Sequence, residues 1–325
     1  MGQLWQTRPV ATSEMRRAMA GQADELERLL DDEAGLDAAA ERLAGRRVVL
    51  AGTGTSFHAA QHGAWFLRLA GIDARAVAAA DAAGGPLAPR ADEAVVVLHH
   101  RGTKRYSSRV VDRARERGAP LVIVSRRGNP DADLETTEGE RSSAFTASHL
   151  AAMMRCAQLA VRLGAPFDPG RVPDGVRKVL HDPPLGVTPP VRLLQLAGVG
   201  ANRWTAAEGA LKARETSRVA ADGLGAEQLL HGPMVALGGD DTLVLLDGGD
   251  DPDGRLDDLE RLAGAHGCPV RRISERALGP ELSVFPLTVA VQRLAAELAE
   301  ARGIDPERFG RELPAREAAW ANIEL

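Results

Sequence analysis

Aromatic residues make up only 3 % of this 325-residue chain, against 44 % hydrophobic residues in all, so its core has to be built from Ala, Val and Leu. That is enough apolar material for one or two ordinary globular domains. Lysine is rarer still. Lys104, Lys178 and Lys212 are the only ones, so chemistry that needs an amine has few candidates, abundant as arginine is. Cysteine occurs at Cys156 and Cys268 alone, with no CxxC spacing and no flanking histidine cluster, which excludes a zinc site or a disulfide framework. Both read as small buried hydrophobes. A net positive charge is missing too: the formal charge of -5 excludes the field of a non-specific nucleic-acid binder and favours small-molecule chemistry. No segment approaches the ~20 consecutive apolar residues of a membrane span, and "MGQLWQTRPVATSEMRRAM" lacks the apolar centre of a signal peptide. A cytoplasmic protein is the resulting expectation.

What is present has a repeated order. From Glu14 to Leu43, Met15, Met19, Leu26, Leu29, Leu30, Leu36 and Leu43 recur at helical intervals interrupted near Gly35, which predicts one or two amphipathic helices. "RRVVLAGTGTSFHAAQHGAWFLRLAG" then gives a β-branched strand, a glycine turn and a helix from about Ser56 to Leu69. "EAVVVLHHRGTKRYSSRVVDRARERGAPLVIVS" repeats strand, loop, helix and strand, with a strand at Val95 to Leu98, and a helix from His149 to Leu163 closes this half. "PFDPGRVPDG" and "HDPPLGVTPP" are too rich in proline and glycine to continue a helix; the segment between them has room for a short one. After Pro190 the order begins again with "VRLLQLAGVGANRWTAAEGALKARE", continues through "DTLVLLDGGDDPDGRLDDLERLAGAHGCPVRRIS" and closes with the helix "VFPLTVAVQRLAAELAEARG". "VVLAGTGTSFHAA" and "LLQLAGVGANRWTAAEG" stand at corresponding places, so the chain reads as a duplicated α/β unit of doubly wound parallel sheets. The expected division is a helical segment over 1–44, a first subdomain over 45–168, a linker over 169–189 and a second subdomain with a tail over 190–325.

Three stretches carry chemistry. Gly52-Thr53-Gly54-Thr55-Ser56 brings backbone amides and small hydroxyls to a helix N-terminus, which favours an anion. A plain capping turn is the alternative. It is neither a Walker loop nor a clean GxGxxG, so nucleotide binding is not favoured. "HHRGTKRYSS" concentrates His99, His100, Arg101, Lys104 and Arg105 around Gly102 after a buried strand, a natural anion receptor on an otherwise acidic protein, or else a solvated basic loop. Adjacent histidines after a strand point in different directions and make a poor metal site. Glu208, Lys212 and Glu215 stand at i, i+4 and i+7 on one helical face, and His231 follows in a loop stiffened by Gly232 and Pro233, after the helix that carries Glu227. A carboxylate and an imidazole near one substrate can divide the work of base and acid; a solvated face and a capping histidine would give the same letters.

"AGTGTSFHAA", "AAEGALKARETS", "LLHGPMVAL" and "EMRRAMAGQADELERLL" together resemble the tandem sugar isomerase (SIS) domains of the isomerase half of glutamine:fructose-6-phosphate amidotransferase and its relatives, which include Amadori-product deglycases and sugar-phosphate deaminases. "SSAFTAS" (Ser142 to Ser148) is similar to the family's STKAFT, with Ser143 where the lysine stands. The likeness runs from about Glu14 to Ala301. It implies two flavodoxin-like, doubly wound SIS subdomains, no metal and no cofactor. It also implies an anionic sugar or amino-sugar substrate, and a homodimer whose active site lies at or near the interface, with the histidine supplied across it. By the same resemblance Glu215 matches the proton-transferring glutamate, His231 the ring-opening histidine, and Glu208 and Lys212 the pair preceding that base. Thr53, Gly54, Thr55 and Ser56 fall on a Cys-Gly-Thr-Ser turn whose last residue helps to hold the sugar phosphate.

The sequence also departs from that pattern. The family's serine-rich SQSGET loop aligns with His99-His100-Arg101-Gly102-Thr103-Lys104, so charge replaces hydroxyl donors, and the segment Arg101, Gly102, Thr103, Lys104 and Ser107 is the expected anion loop. The C-terminal lysine that the amidotransferase turns toward its ketose is absent; nearby stands only Arg316, which cannot form a Schiff base. The glutamine-hydrolysing domain is missing from this sequence, so a complete glucosamine-phosphate synthase is not expected. The expectation is a phosphosugar isomerase, deaminase or deglycase working through an enediol or enolamine, with a non-catalytic sugar-phosphate sensor as the rival and a tailoring enzyme for an unusual sugar as a third possibility. A helix-turn-helix regulator is disfavoured, because the roughly thirty residues before Arg46 are too few and not basic enough.

Overall fold

Strands that read as unbroken apolar runs should be covered on both faces by helices, and the computed structural model builds them so. It describes residues 13–249, 251–311, 314–321 and 323; positions 1–12 of the stretch examined for a signal peptide lie outside them. Five strands, β1 Arg47–Gly52, β2 Ala74–Ala78, β3 Glu93–Leu98, β4 Leu121–Ser125 and β5 Leu134–Glu135, form an all-parallel sheet in the order β2-β1-β3-β4-β5. Four more, β6 Leu194–Gly198, β7 Ala221–Gly225, β8 Thr242–Asp247 and β9 Val270–Ser274, form a second all-parallel sheet in the order β7-β6-β8-β9. The first is the flavodoxin-like order, and the second repeats it without the last strand.

The chain divides into two compact units. One, the first unit here, holds Gly21–Glu140 and Ala147–Asp174; the second holds Gly175–Asn322, Arg141–Thr146 and the chain up to Ala20. In the first unit Val49, Ala51, Val95, Val97 and Ile123 share one sheet face with Val110, Val111 and Ala114 of the helix Arg105–Glu116, the period-two alternation of a pleated strand. Leu50 faces the other way, onto the helix Thr55–Leu69, whose Gly63 lies so close to Leu50 and Cys156 that a Cβ there would stand 2.8 Å from each. The second unit uses the same device, with Gly209 pressed against Leu196 and Val291 at the same 2.8 Å.

The duplication is written most clearly in glycine. Gly52, Gly54 and Gly63 recur at the same spacing as Gly198, Gly200 and Gly209. A Cβ at Gly52 would lie 2.8 Å from the Phe57 amide nitrogen, and one at Gly198 would lie 2.9 Å from the Asn202 Cβ, so the first glycine of each turn lets a helix start directly above its strand. The second glycine has φ 55° at Gly54 and 56° at Gly200, a left-handed backbone that favours glycine.

Three local expectations are corrected. The Glu14–Leu43 stretch forms three helices, Glu14–Ala20, Gln22–Asp31 and Leu36–Leu43, with an added break at Gly21 where the chain passes from one unit to the other. The helix Val172–His181 begins inside the proline-rich stretch, because Pro173 sits in its first turn, where an amide proton would have no intrahelical partner. Gly279–Ala301 is long and apolar enough to cross a membrane by length and composition, but 94 % of its apolar window is buried inside the protein, much of it against the helix Asn202–Lys212.

Gly52→Ala should therefore lower stability by about 1–3 kcal/mol or more, while Gly264→Ala, on an exposed helical site with open space around it, should raise it by about 0.5–1 kcal/mol. Urea unfolding midpoints of the two variants check both signs.

Candidate active site

The "EGALKARETS" stretch does not stay α-helical. The helix Asn202–Lys212 widens into a π turn over Ala213–Ser217, closed by Arg218 with a left-handed φ of 54°. Hydroxyl chemistry accounts for the change. Thr216 Oγ1 donates to Lys212 O at 2.8 Å and Ser217 Oγ donates to Ala213 O at 2.6 Å, each competing with the backbone for a carbonyl one turn back. Thr216 Oγ1 also reaches Ala295 O at 3.3 Å, which ties the turn to the helix Val284–Ala301. Single π turns of this kind often mark functional positions.

Within this frame Lys212 Nζ lies 2.7 Å from Glu215 Oε2 and 3.5 Å from Glu208 Oε1. The Lys212 and Glu208 side chains are 1 % and 0 % exposed, so the solvated-face alternative does not hold for them. Glu215 keeps 23 % of its side chain open. An interior ammonium flanked by two carboxylates is compensated, and its charge-assisted hydrogen bond fixes the one carboxylate that a substrate can still reach.

His231 stands apart from this triad in its bonding. Its side chain is 74 % exposed, and its Nε2 pairs with Glu227 Oε1 at 2.7 Å, not with Glu215. Glu227 is held in turn by Arg255 at 3.0 Å. Together with Leu230, Asp258, Arg261 and Leu262 these side chains line an open surface groove of about 390 Å³.

The two expected anion elements lie in the first unit, after β1 and β3, the neighbouring strands between which the strand order reverses. Such a switch point leaves a crevice at the carboxyl ends of the strands. In the turn Thr53–Ser56, Thr53 and Gly54 are exposed and Thr55 and Ser56 half-buried. The amides of Ser56 and Phe57 bond back to Thr53 O at 3.1 Å and Gly54 O at 2.8 Å, so those two are committed to the turn rather than turned outward as the sequence implied. In the second element Arg101 and Thr103 are exposed, Gly102 and Lys104 half-buried, and Gly102 has φ 70°. Ser107 is buried at the start of the following helix.

Behind that loop lies a polar substructure that the sequence did not single out. Ser125 Oγ donates to His99 O at 2.8 Å and accepts from Asn129 Nδ2 at 2.7 Å. His100 accepts from the Glu140 amide at 3.3 Å; burial pushes its pKa down to about 4, Glu140 opposes that, and Arg101 and Arg126 add to it. Likewise the adjacent hydroxyls of Thr216 and Ser217, which shape the π turn, were legible only as a polar pair after Glu215. Arg316, which stands near the position of the family's lysine, lies on the helix Pro314–Ala321; Arg218 loses proton affinity through burial and then through Arg316 and Arg302. Both cysteines are buried and unpaired, and burial pushes the Cys156 thiol up to about 12. Among the described residues no group of three or more His, Cys, Asp or Glu side chains is placed to hold a metal ion.

Comparison with known proteins agrees with this architecture. Residues 44–162 match the family model of the SIS domain. The chain is 26 % identical to the glutamine–fructose-6-phosphate aminotransferase (isomerizing) of Aeropyrum pernix, over 88 % of its own length and 53 % of that protein's, so it spans about half the length of this relative. Among solved structures it is similar to tagatose-6-phosphate ketose/aldose isomerase from Escherichia coli, with TM-score 0.76 and 18 % identity over 91 % of this chain and 95 % of that one. It also resembles the C-terminal domain of glucosamine-fructose-6-phosphate aminotransferase from Francisella tularensis, with TM-score 0.75 and 13 % identity over 92 % and 99 %. Glucosamine-6-phosphate deaminase from Thermotoga maritima gives 0.71 and 18 % over 92 % and 98 %. At these identities the structural likeness concerns the fold.

Lys212→Met leaves Glu208 buried beside no ammonium and should cost about 3–5 kcal/mol of stability; Glu208→Gln in the same chain should restore part of it, as thermal unfolding would show. His100 gives a pH signature. Its folded pKa of about 4 lies below the unfolded ~6.5, so below pH 6.5 the unfolded chain binds the extra proton. Stability then falls as pH drops from 6.5 to about 4, by up to about 3 kcal/mol. His100→Gln should flatten that part of the curve in denaturant titrations.

Proposed function

From the match of residues 44–162 to the SIS-domain family model, we propose that the chain acts on a phosphorylated or otherwise anionic sugar or amino sugar as an isomerase, deaminase or deglycase. The observation that carries this is the buried Lys212 holding a part-exposed Glu215 at 2.7 Å, with Glu208 behind it. Glu215 takes a proton from the carbon beside the carbonyl or imine, the electron pair moves into an enediol or enolamine, and the same carboxyl returns the proton to the neighbouring carbon. The carbonyl or imine takes up a proton as the electron pair arrives, and the neighbouring hydroxyl or amine gives one up as the new carbonyl or imine forms. In a deaminase or deglycase, water then hydrolyses the imine and the amine leaves, so no oxidant or reductant is needed. Lys212 and Glu208 fix the position and field of Glu215. The turn Thr53–Ser56 and the loop Arg101–Ser107 bind the anion, with the charges of Arg101 and Lys104 in place of hydroxyls.

His231 opens the sugar ring or protonates the leaving group. Its exposure and its bond to Glu227 rather than Glu215 suit a histidine delivered to the active site of a partner subunit, so the working form is a homodimer. A sensor that binds the sugar without turning it over is the second reading, favoured by the altered basic loop and by the arginine at 316.

Thermal-shift screening of sugar phosphates and sugar acids, followed by NMR of solvent-deuterium exchange at C1 and C2, tests the proposal. Exchange on a bound sugar, reduced about 10²- to 10⁴-fold in Glu215→Gln with binding retained, is the expected result. Saturable binding with no exchange would replace the enzyme by the sensor. Mixing Glu215→Gln with His231→Asn chains should recover exchange that neither has alone; no recovery would refute the shared histidine.

A further inference from the structure

His99 sits at the carboxyl end of β3, 8 % exposed, and neither of its ring nitrogens has a hydrogen-bond partner among the described residues. Its backbone is fully engaged: the amide donates to Val124 O at 3.1 Å and the carbonyl accepts from Ser125 Oγ at 2.8 Å. The imidazole lies beneath the Gly102 turn, where a Cβ on Gly102 would stand 3.9 Å from His99 Cε1 and 3.2 Å from Asn129 Nδ2. A buried donor and acceptor left unmade costs about 1–3 kcal/mol, and a fold that carries this cost at the switch-point crevice has a use for a polar group there.

We propose that His99 forms the floor of the anion subsite and takes up a proton when a dianion binds over it, so that binding in this crevice is coupled to proton uptake. It rests on the assignment of the loop after β3 as anion receptor and names the group that regulates that site. The surrounding charges set the direction. Burial pushes the His99 pKa below its ordinary value, and Asp131, on the segment after β4, offsets only part of that. His100, Arg101, Lys104 and Arg105 follow it in sequence on the same loop, and Asp131 is the charge that bears on the ring. His100 is neutral at pH 7 because its own pKa is about 4. An incoming dianion opposes the effect of burial: it accepts a charge-assisted hydrogen bond from the imidazolium and raises the pKa of His99. The balance is one proton from solvent onto the ring nitrogen, with no bond to the anion made or broken. Between the free and the bound pKa, affinity falls up to tenfold for each pH unit gained.

Sulfate is the probe, since it keeps its charge across the range. Calorimetry of sulfate binding to the full chain, in two buffers of different protonation enthalpy, should show uptake approaching one proton per site, with affinity falling as pH rises. His99→Gln keeps a hydrogen-bonding group but cannot titrate; it should bind sulfate more weakly than the parent at low pH, with no proton uptake and a flat pH profile. Should that variant fail to fold, ring-nitrogen NMR shifts of His99 in the unmodified protein read its ionisation directly, and its pKa should rise on adding sulfate. Sulfate binding without proton uptake, uptake that persists in His99→Gln, or a His99 pKa that does not move would overturn the inference. The anion receptor would survive those results so long as Arg101→Ala and Lys104→Ala still weaken binding. No saturable sulfate binding, or binding indifferent to Arg101 and Lys104, would remove the receptor and the proton coupling together.

Discussion

An ammonium group inside an α/β unit is tolerable only where carboxylates surround it, and the second unit is arranged around that constraint. Lys212 is nearly fully buried between Glu208 and Glu215. Keeping both carboxylates within reach requires the helix to widen after Lys212, the widening requires hydroxyls at 216 and 217 to draw carbonyls out of the α ladder, and Thr216 in turn leans on Ala295 of the long apolar helix. An isolated lysine at this depth would lose its charge or leave the core. Held between two acids, it becomes a fixed positive point beside a carboxylate that solvent still touches.

The repeat shows how one unit was given this arrangement and the other was not. In the register set by the shared glycines, Glu208 corresponds to His62 and Lys212 to Phe66. Both first-unit residues are fully buried, Phe66 against Phe167 and His62 beside His149. The scaffold is therefore the same, a helix pressed onto its strand through Gly63 or Gly209, while its inner face is apolar and aromatic in one unit and ionic in the other. The first unit also carries cations at the strand ends, in the loop after β3, where they can meet solvent and any anion that arrives with it.

Much of this was legible in the letters. "VVLAG" and "LVLLD" announce buried parallel strands because no polar residue interrupts them, and Glu208, Lys212 and Glu215 share a face at helical spacing whichever way the helix ends. The doubly wound parallel sheets followed from the alternation of such strands with helices, and their flavodoxin-like form from the family resemblance. Other features depend on who meets whom in space. Nothing in "ARETS" distinguishes a π turn from an α turn until the Thr216 and Ser217 hydroxyls find carbonyls. Nothing in "LHHRG" says that His99 goes under and Arg101 out, since that depends on the left-handed bend at Gly102. The partner of His231 is Glu227 one turn earlier, a local pairing that the loop residues Gly232 and Pro233 did not foretell. The break at Gly21 was hidden because apolar spacing runs straight across it.

The helix Glu14–Ala20 belongs to the second unit: the Met15 amide donates to Glu307 at 2.8 Å, 292 residues away, Arg16 pairs with Glu300, and Met15 and Met19 pack against Ala295 and Ala296. A chain leaving the ribosome must thus carry two bare methionines and wait for almost everything that follows before they are covered. The first unit needs no such delay, since its segments run together from Gly21 to Asp174 apart from Arg141–Thr146. Translation stalled anywhere short of the last long helix would leave a sticky thioether stripe on an otherwise well-made half, a handle by which holding chaperones and proteases can tell an unfinished molecule from a finished one.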